Sequence, residues 1–457
     1  MSDPNEVKAS PATAQSNDDA PSGKRRALIQ AGAAAAALGT LGFPSVHAKS
    51  NVTLRFLNNE TSVDSNRALR VAGAEYERKF GTKVIIDSTP IDDTFPKIQA
   101  SIKAGQPYDL ATIGFIAHMI ILANQGALIP VTEMTKKHQW GPQILFPIKG
   151  QVWWYPYDYN LAANYYRKDL YAEKGLKIPE TWEQYVSNSR ALTVVKDGNV
   201  DRGGCIFPIA SNGASNWTSF AFLWAEGVRI MDKNWNVILD NAENSERVGR
   251  YLDMYAELYK TMPPNMNSAS YAQLLGLFAT DKVAHSAYSG RLVETIEARA
   301  PNLADKFGIF PYMDSKGNTK AVNNGYDGFV VLKSKQSEEA MKFLRWFIEN
   351  HYINWLHTAP IHFQPPRLDI YDDKRWWAHP LIEKHAQTVK TMQSWITDKK
   401  MVINSIDSDG PTPDVRPAKV FESYAMPEML QNKVSKGMSN ADCVKTAADK
   451  IRQVITS

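Results

Sequence analysis

Aromatic side chains in polar surroundings carry the clearest binding chemistry of this sequence. Its 12 tryptophans include the adjacent Trp153 and Trp154, and Trp217, which follows the polar stretch SNGASN. Aromatic rings stack on the apolar C–H faces of sugar rings, and fixed polar groups bind the hydroxyls. Adjacent strand residues point to opposite faces, so at most one of Trp153 and Trp154 can line a cleft. We expect Trp217 at an exposed loop tip, where a large aromatic residue favours a binding role.

Two arginines could bind an anionic group. Arg291 follows Ser289 and Gly290 in the segment AYSGRL, and Arg367 ends the segment FQPPR. The guanidinium fork suits a carboxylate or phosphate, although it also donates to neutral hydroxyls. Either arginine could instead pair with a surface acid, because most arginines are solvated. The charge of a ligand therefore stays open.

Catalytic and metal-binding patterns are weak in this sequence. HExxH, GxSxG and P-loop motifs do not occur. Oxygen-bearing side chains between residues 232 and 243 have EF-hand-like spacing, but Val237 stands where the sharp turn needs glycine. A capping box from Asp240 to Glu243 explains the same residues. We expect no metal, no cofactor and no enzymatic activity, with a secreted carbohydrate-active enzyme as the alternative.

Strands and helices alternate after residue 50. Strands are predicted at 52–57, 83–87 and 108–112, and helices at 65–80, 94–104 and 117–125. Strand–helix–strand units of this length indicate an α/β fold with a parallel sheet, whose ligands meet the loops at the carboxyl ends of the strands. Those loops contain Asn59, Glu60 and Phe115 as candidate ligand contacts. Asn59 and Glu60 could instead only cap the next helix.

The N-terminal residues 1–48 are typical of an export signal. Lys24, Arg25 and Arg26 precede a weakly apolar stretch at 27–43, and a small-residue cleavage site ends at Ala48. The paired arginines resemble a twin-arginine signal, although Lys24 and Leu28 depart from its usual pattern. No cysteine stands near the cleavage site, so we expect a soluble product without a lipid anchor. A net charge of +4 without a basic cluster makes nucleic acid an improbable partner.

Three further segments, in chain order, carry a family resemblance. They are PYDYNLAANYYRKDLYAEKGLKIPETW (156–182), the stretch from Phe278 to Arg291, and NGYDGFVVLKSKQSEEAMKFL (324–344). In residue pattern and order they resemble the family 1 extracellular solute-binding proteins, the maltose-binding-protein-like receptors of bacterial ABC importers. The resemblance covers essentially the whole chain after the signal.

The resemblance implies a periplasmic-binding-protein type II-like fold, with two α/β lobes joined by crossing hinge strands and a ligand cleft between them. Lobe one would combine residues 50–159 with about 311–352. Lobe two would combine 160–310 with about 353–457. The chain would cross between the lobes near 159–161 and near 308–311.

The same resemblance places further candidate ligand contacts at this cleft. They are Trp153, Trp154, Tyr157 and Asp158 before the first crossing, Ser289, Gly290 and Arg291 after a turn, Tyr326, Asp327 and Gly328 on the wall of lobe one, and Arg367.

The implied function is that of a monomeric periplasmic receptor. It would capture a carbohydrate or sugar derivative, neutral or anionic, and deliver it to membrane ABC permease subunits. The alternatives are the secreted enzyme named above and a receptor for a non-sugar solute such as a polyol phosphate.

Overall fold

The computed structural model describes residues 52–457, so the predicted export signal lies outside the described residues. The strands are β1 (Thr53–Asn58), β2 (Lys83–Ser88), β3 (Leu110–Ile113), β4 (Leu128–Ile129), β5 (Tyr155–Arg167), β6 (Val194–Lys196), β7 (Asn199–Arg202), β8 (His285–Tyr288), β9 (Phe307–Phe310), β10 (Tyr312–Met313), β11 (Lys320–Leu332) and β12 (Val402–Asn404).

One large sheet runs in the order β2-β1-β3-β11-β5-β8. β1 pairs in parallel with β2 and β3, as the alternation of strands and helices predicts. β11 is antiparallel to both β3 and β5, so the sheet is mixed rather than parallel throughout. β5 pairs with β11 through Leu161 and with β8 and β9 from Ala163 onward. One strand thus joins two groups of partners.

Helices cover this sheet and extend the fold beyond it. They are α1 (Val63–Phe80), α2 (Ile91–Lys103), α3 (Ile116–Asn124), α4 (Thr132–Thr135), α5 (Lys168–Glu173), α6 (Trp182–Leu192), α7 (Gly213–Thr218), α8 (Ala221–Ala225), α9 (Ala242–Tyr259), α10 (Tyr271–Ala279), α11 (Arg291–Arg299), α12 (Ser337–Leu356), α13 (Lys374–Trp377), α14 (Pro380–Lys384), α15 (Ala386–Thr397), α16 (Val415–Ser423), α17 (Ala425–Lys436) and α18 (Asn440–Thr456). The predicted α/β class is confirmed.

Capping side chains set the ends of the helices. The N-cap of α1 is Ser62, whose hydroxyl accepts from the Ser65 N–H at 3.1 Å, and Gly81 ends the helix at φ 79°. α9 is capped by Asn241, so the predicted capping box at Asp240 is wrong. The cap at Ser62 marks the point where the loop after β1 ends and α1 begins, and that loop contributes to the site.

The core is continuous and rich in aromatic residues. Trp224 and Trp355 are fully buried, and the buried Trp182 donates its indole N–H to the Met313 carbonyl at 2.7 Å. Cys205 and Cys443 are buried free thiols. Within residues 52–457, no helix combines the length and apolarity that a membrane span needs.

Candidate ligand-binding cleft

A cavity of about 450 Å³ opens at the carboxyl ends of β1, β2 and β3. Those ends are where an α/β sheet of this kind is expected to meet a ligand. β5, β11 and helices α7, α10 and α11 close its other sides. The lining residues are Asn59, Glu60, Thr61, Ser62, Pro90, Ile91, Asp92, Gly114, Phe115, Asn160, Trp217, Tyr271, Tyr288, Arg291, Gly325, Asp327 and His362.

The loop after β1 is held close to the loop after β3. The Asn59 N–H donates to the Thr112 hydroxyl at 2.7 Å. A Cβ on Gly114 would lie 2.3 Å from the Ile91 side chain and 2.9 Å from the Asn59 amide nitrogen. Because no side chain fits there, glycine at 114 lets the three strand-end loops converge on the cavity.

Aromatic rings form one wall of the cavity. The Trp217 ring centroid lies 5.2 Å from that of Tyr288 and 6.1 Å from that of Tyr271, and Phe115 lines the same space. The Trp217 indole N–H donates to the Asn160 carbonyl at 3.2 Å, which fixes the ring. This wall can stack on an apolar ligand face.

Trp217 lies in helix α7 and is 6% exposed, so the expectation of an exposed loop tip is wrong. Ser215 and Asn216, the polar residues nearest to it, are buried and hydrogen-bonded within the fold. The Asn216 side chain donates to the Phe421 carbonyl at 3.0 Å, and Asn212 caps the helix. A polar sequence here indicates an internal hydrogen-bond network rather than solvent.

An ion pair crosses the cavity between Arg291 and Glu60. The guanidinium lies 3.0 Å from the Glu60 carboxylate and 4.0 Å from that of Glu294. Burial alone would lower the pKa of Arg291, but the charges of Glu60 and Glu294 raise it. Arg291 is therefore a permanent cation that already has acidic partners.

Glu294 supports the segment that carries His362. Its carboxylate accepts from the backbone N–H groups of Ile361 and His362, each at 3.3 Å. Burial raises the pKa of Glu294 to about 6. Burial and the charge of Arg291 hold the pKa of His362 well below its ordinary value, so this imidazole is neutral. The Ser289 hydroxyl hydrogen-bonds to its Nδ1.

Two carboxyls meet below the cavity. Asp158 on β5 is paired in register with Asp327 on β11, and they are 0% and 2% exposed. Burial raises the pKa of both well above the ordinary value; the charge of Asp327 adds to this at Asp158, and the charge of Glu60 at Asp327. Asp327 lines the cavity, with the Asn160 amide 3.4 Å from it.

Several buried polar atoms around the cavity have no partner among the described residues. Both side-chain amide atoms of Asn59 and the Oδ1 atom of Asn160 lack a hydrogen bond, as do both carboxyl oxygens of Asp158. Buried polar groups in proteins are almost always paired. Asn59 and Asn160 line the cavity, so these unpaired donor and acceptor atoms are available to hydrogen-bond with a bound solute.

The sequence-predicted candidates divide between the cavity and other places. Asn59, Glu60, Phe115, Trp217, Arg291 and Asp327 line the cavity. Ser289 and Gly290 lie directly behind it, and a Cβ on Gly290 would lie 2.0 Å from the Ile361 carbonyl oxygen. Asp158 touches the cavity only through Asp327.

The adjacent tryptophans do not line this cavity. Trp154 is fully buried and donates to the Ile144 carbonyl at 3.2 Å, and Gly328 is required because a Cβ there would lie 2.4 Å from the Trp154 ring. Trp153 donates to the Ile148 carbonyl at 3.1 Å. Both indoles hold the loop before β5 in place.

Three other candidates also lie outside the cavity. Tyr157 is buried, with its ring 5.2 Å from that of Phe363, and Tyr326 is buried with its hydroxyl 3.5 Å from that of Ser408. Both point into the core because neighbouring strand residues alternate faces. Arg367 pairs with Asp369 and does not join Arg291 in the cavity.

Sequence patterns gave no indication of four lining residues. Tyr271 begins α10, Tyr288 ends β8, His362 lies in the loop after α12, and Asn160 lies on β5. Asp92 lies in the first turn of α2, where the sequence predicts the loop after β2 but does not single out this residue. Tyr288 directly precedes Ser289, so the AYSGRL segment contained a usable signal for it.

The described residues offer no metal site. Within residues 52–457, no group of three or more His, Cys, Asp or Glu side chains is placed to hold a metal ion. The Asp232 carboxylate accepts from the backbone N–H groups of Asn234 and Asn236 at 2.8 and 2.9 Å. The EF-hand-like spacing thus serves a hydrogen-bonded turn.

Comparison with known proteins gives a consistent picture. The family model "Bacterial extracellular solute-binding protein" matches residues 59–352. A Brucella abortus (strain 2308) protein named as a binding protein is 23% identical over 288 residues, which span 60% of this chain and 66% of that protein. The mannitol-binding protein of Pseudomonas aeruginosa is 27% identical over 188 residues, 39% of this chain and 42% of that protein.

Solved structures share the fold. An ABC transporter solute-binding protein of Agrobacterium radiobacter K84, solved in complex with ribitol, superposes with a TM-score of 0.70 at 17% identity. The superposition covers 89% of this chain and 99% of that chain. The predicted type II periplasmic-binding-protein fold class is thereby confirmed.

Proposed function

Because this chain belongs to the family of bacterial extracellular solute-binding proteins, we propose that it captures a carbohydrate or polyol in the cavity and delivers it to a membrane ABC permease. The observation that carries the proposal is the combination of one aromatic wall with unpartnered side-chain amide atoms in one cavity of about 450 Å³. A polyhydroxylated solute needs both surfaces.

Polyols belong to the proposed solute class beside ring sugars. One relative is named for mannitol and one structural neighbour was solved with ribitol. Linear polyols and monosaccharides both fit the proposed mode of binding, in which hydroxyls bind the amide of Asn59 and the carboxyl of Asp327 while C–H groups contact Trp217.

The charges around the cavity favour a neutral solute over an anionic one. Glu60 and Glu294 already neutralise Arg291, and Asp92 and Asp327 also line the space. A phosphate or carboxylate would enter a region with more acids than bases, and like charges at short range repel. These charges disfavour binding of the sugar phosphates and polyol phosphates that Arg291, taken alone, would suggest.

We further propose that the two predicted lobes close on the solute. With lobe one as 50–159 and 311–352, Glu60 and Arg291 stand on opposite lobes, so their 3.0 Å ion pair joins them. β5 would carry the first crossing, since it changes partners between Leu161 and Ala163. Closure excludes water and lets both lobes contribute to affinity.

Export to the periplasm and a monomeric state complete the proposal. The export signal expected at 1–48 supports the location, as does a family of extracellular proteins.

A catalytic role is not favoured. The matched family and the structural neighbours are binding proteins, which favours a receptor over an enzyme.

Calorimetry and thermal shift with a solute panel test the proposal. The panel holds hexoses, disaccharides, hexitols and pentitols, with amino acids and a dipeptide as the comparison class. We expect at least one sugar or polyol to raise the melting temperature in a concentration-dependent way, because ligands that bind only the folded state stabilise it. A shift with the comparison class alone, or turnover of the bound sugar, would overturn the proposal.

A further inference from the structure

We propose that the solute of this cavity carries a protonated amine, as in an amino sugar or amino polyol, and that its ammonium group lies against Asp327. This inference rests on the proposed function and narrows its substrate class. It stands on three observations: the balance of charges lining the cavity, the buried polar atoms that have no partner, and the aromatic wall.

The lining residues contain more acids than bases. Glu60, Asp92 and Asp327 line the cavity with Arg291 as the base opposite them, and the His362 imidazole is neutral. The 3.0 Å pair between Arg291 and Glu60 cancels one charge of each sign. Asp92 stands in the first turn of α2, where the N-terminal end of the helix dipole compensates it in part.

Asp327 makes no salt bridge within residues 52–457, although the charge of Arg291 acts on it from a longer distance. The neutral Asn160 amide donates to its carboxyl at 3.4 Å, and its cross-strand neighbour is Asp158, a second carboxyl. Two buried carboxyls side by side are costly when both are ionised, and a bound cation relieves that cost. Because burial raises the pKa of both carboxyls and so favours their protonated forms, a neutral hydroxyl leaves Asp327 protonated, whereas an ammonium group stabilises its ionised form.

Buried polar atoms without partners point to a ligand in the same space. Asn59 is 5% exposed and lines the cavity, yet neither atom of its side-chain amide is hydrogen-bonded within the described chain. The Oδ1 atom of Asn160, which also lines the cavity, lacks a partner in the same way. An ammonium group offers three donors to such acceptors, more than any single hydroxyl.

The aromatic wall is the third observation. The ring centroids of Trp217, Tyr271 and Tyr288 lie 5.2 to 6.4 Å from one another. Because the indole N–H of Trp217 is used by the Asn160 carbonyl, the ring itself is what this residue offers a solute. A cation near aromatic faces gains additional attraction from their electrons. The carboxyl groups and the aromatic rings thus both favour a positively charged group on the solute.

Matched ligands separate this inference from the proposed function. Calorimetry on the full chain at pH 7 compares a hexose, its 2-amino-2-deoxy derivative and its uronic acid, and likewise a hexitol with its 1-amino-1-deoxy derivative. We expect at least one amine to bind about tenfold or more tighter than its neutral parent, because charge-assisted hydrogen bonds are roughly twice as strong as neutral ones. The uronic acid is expected to bind weakest.

Asp327→Asn tests the assigned position. The substitution keeps the shape and removes the carboxyl that can ionise against the ammonium group, so the preference for the amine over its neutral parent should fall about tenfold. Asp369→Asn is the matched control, since Asp369 pairs with Arg367 outside the cavity. If Asp327→Asn fails to fold, the ligand comparison on the wild-type chain still tests the inference, because equal binding of each amine and its neutral parent would refute it.

Each outcome discriminates between the two ideas. Neutral sugars or polyols binding as tightly as their amines, or tighter, would refute the inference and leave the proposed function standing. The same holds if the uronic acid binds best, or if Asp327→Asn leaves the preference for the amine intact. If no sugar, polyol or amino derivative binds, the proposed function itself is wrong.

Discussion

Replacing Glu294 with glutamine should make the protein more stable at neutral pH. In the folded chain the pKa of Glu294 is raised by burial from 4.5 to about 6. The difference of about 1.5 pKa units corresponds to about 2 kcal/mol, at about 1.36 kcal/mol per unit. Glutamine has nearly the same shape, and its carbonyl can accept from the N–H groups of Ile361 and His362 as the carboxylate does.

The sign follows from the raised pKa. The folded state holds the Glu294 proton more tightly than the unfolded chain, so this stabilisation is complete below about pH 4.5 and is lost as pH rises through about 6. Above that range the ionised, buried carboxylate costs about 2 kcal/mol, and the variant escapes this cost. The variant should therefore match the wild type near pH 4.5 and exceed it by up to about 2 kcal/mol at pH 7.5.

Urea unfolding of both proteins at pH 4.5, 6.0 and 7.5, followed by tryptophan fluorescence, gives the difference at each pH. Glu297→Gln, on the same helix, is the control of opposite sign. Burial alone would raise the pKa of Glu297, but the hydrogen bonds from Lys384 and His385 lower it, so glutamine there should destabilise at pH 7.5. If the stability of Glu294→Gln relative to the wild type does not rise between pH 4.5 and 7.5, the proposed cost of the buried carboxylate is wrong.

Three further substitutions probe the site and its frame. Trp217→Ala should weaken solute binding about 10- to 100-fold in calorimetry, because a buried aromatic anchor typically contributes about 2 kcal/mol or more; an unchanged affinity would remove the aromatic wall from the binding scheme. Gly290→Ala places a Cβ 2.0 Å from the Ile361 carbonyl oxygen, so thermal unfolding should show a lower melting temperature. A melting temperature equal to that of the wild type would show that the backbone adjusts at no cost. Arg367→Ala should leave solute affinity within about twofold, because its guanidinium pairs with Asp369 outside the cavity; a larger loss would place Arg367 in the binding machinery.

Local patterns predicted the first part of the fold and the place of the cavity. The strand–helix alternation located β1 to β3 to within two residues, and the loops after those strands line the cavity. Glu60 and Phe115 followed from that geometry alone. Parallel strand-helix units have short-range periodicity, and their loop positions are a consequence of sheet topology.

Local sequence patterns could not predict which distant segments pair or where individual side chains point. Nothing local indicates that Tyr271, Tyr288 and His362 meet at one cavity. Trp153 and Trp154 show the same limit. The sequence makes them candidates for the cleft, but both indoles donate to carbonyls of the loop before β5. Trp217 was located at the cavity for the wrong reason, because its polar neighbours are buried and hydrogen-bonded rather than solvated.

The position of β11 has a consequence for how the chain reaches its folded state. β11 (Lys320–Leu332) lies between β3 and β5 in the sheet, although its residues follow the end of β5 by some 150 positions. Until those residues are available, the facing edges of β3 and β5 have no strand between them. Contacts of such high sequence separation slow folding and leave strand edges open to aggregation. A nascent chain shorter than about 332 residues should accordingly be protease-sensitive and dependent on chaperones, and acquire resistance only once β11 has emerged.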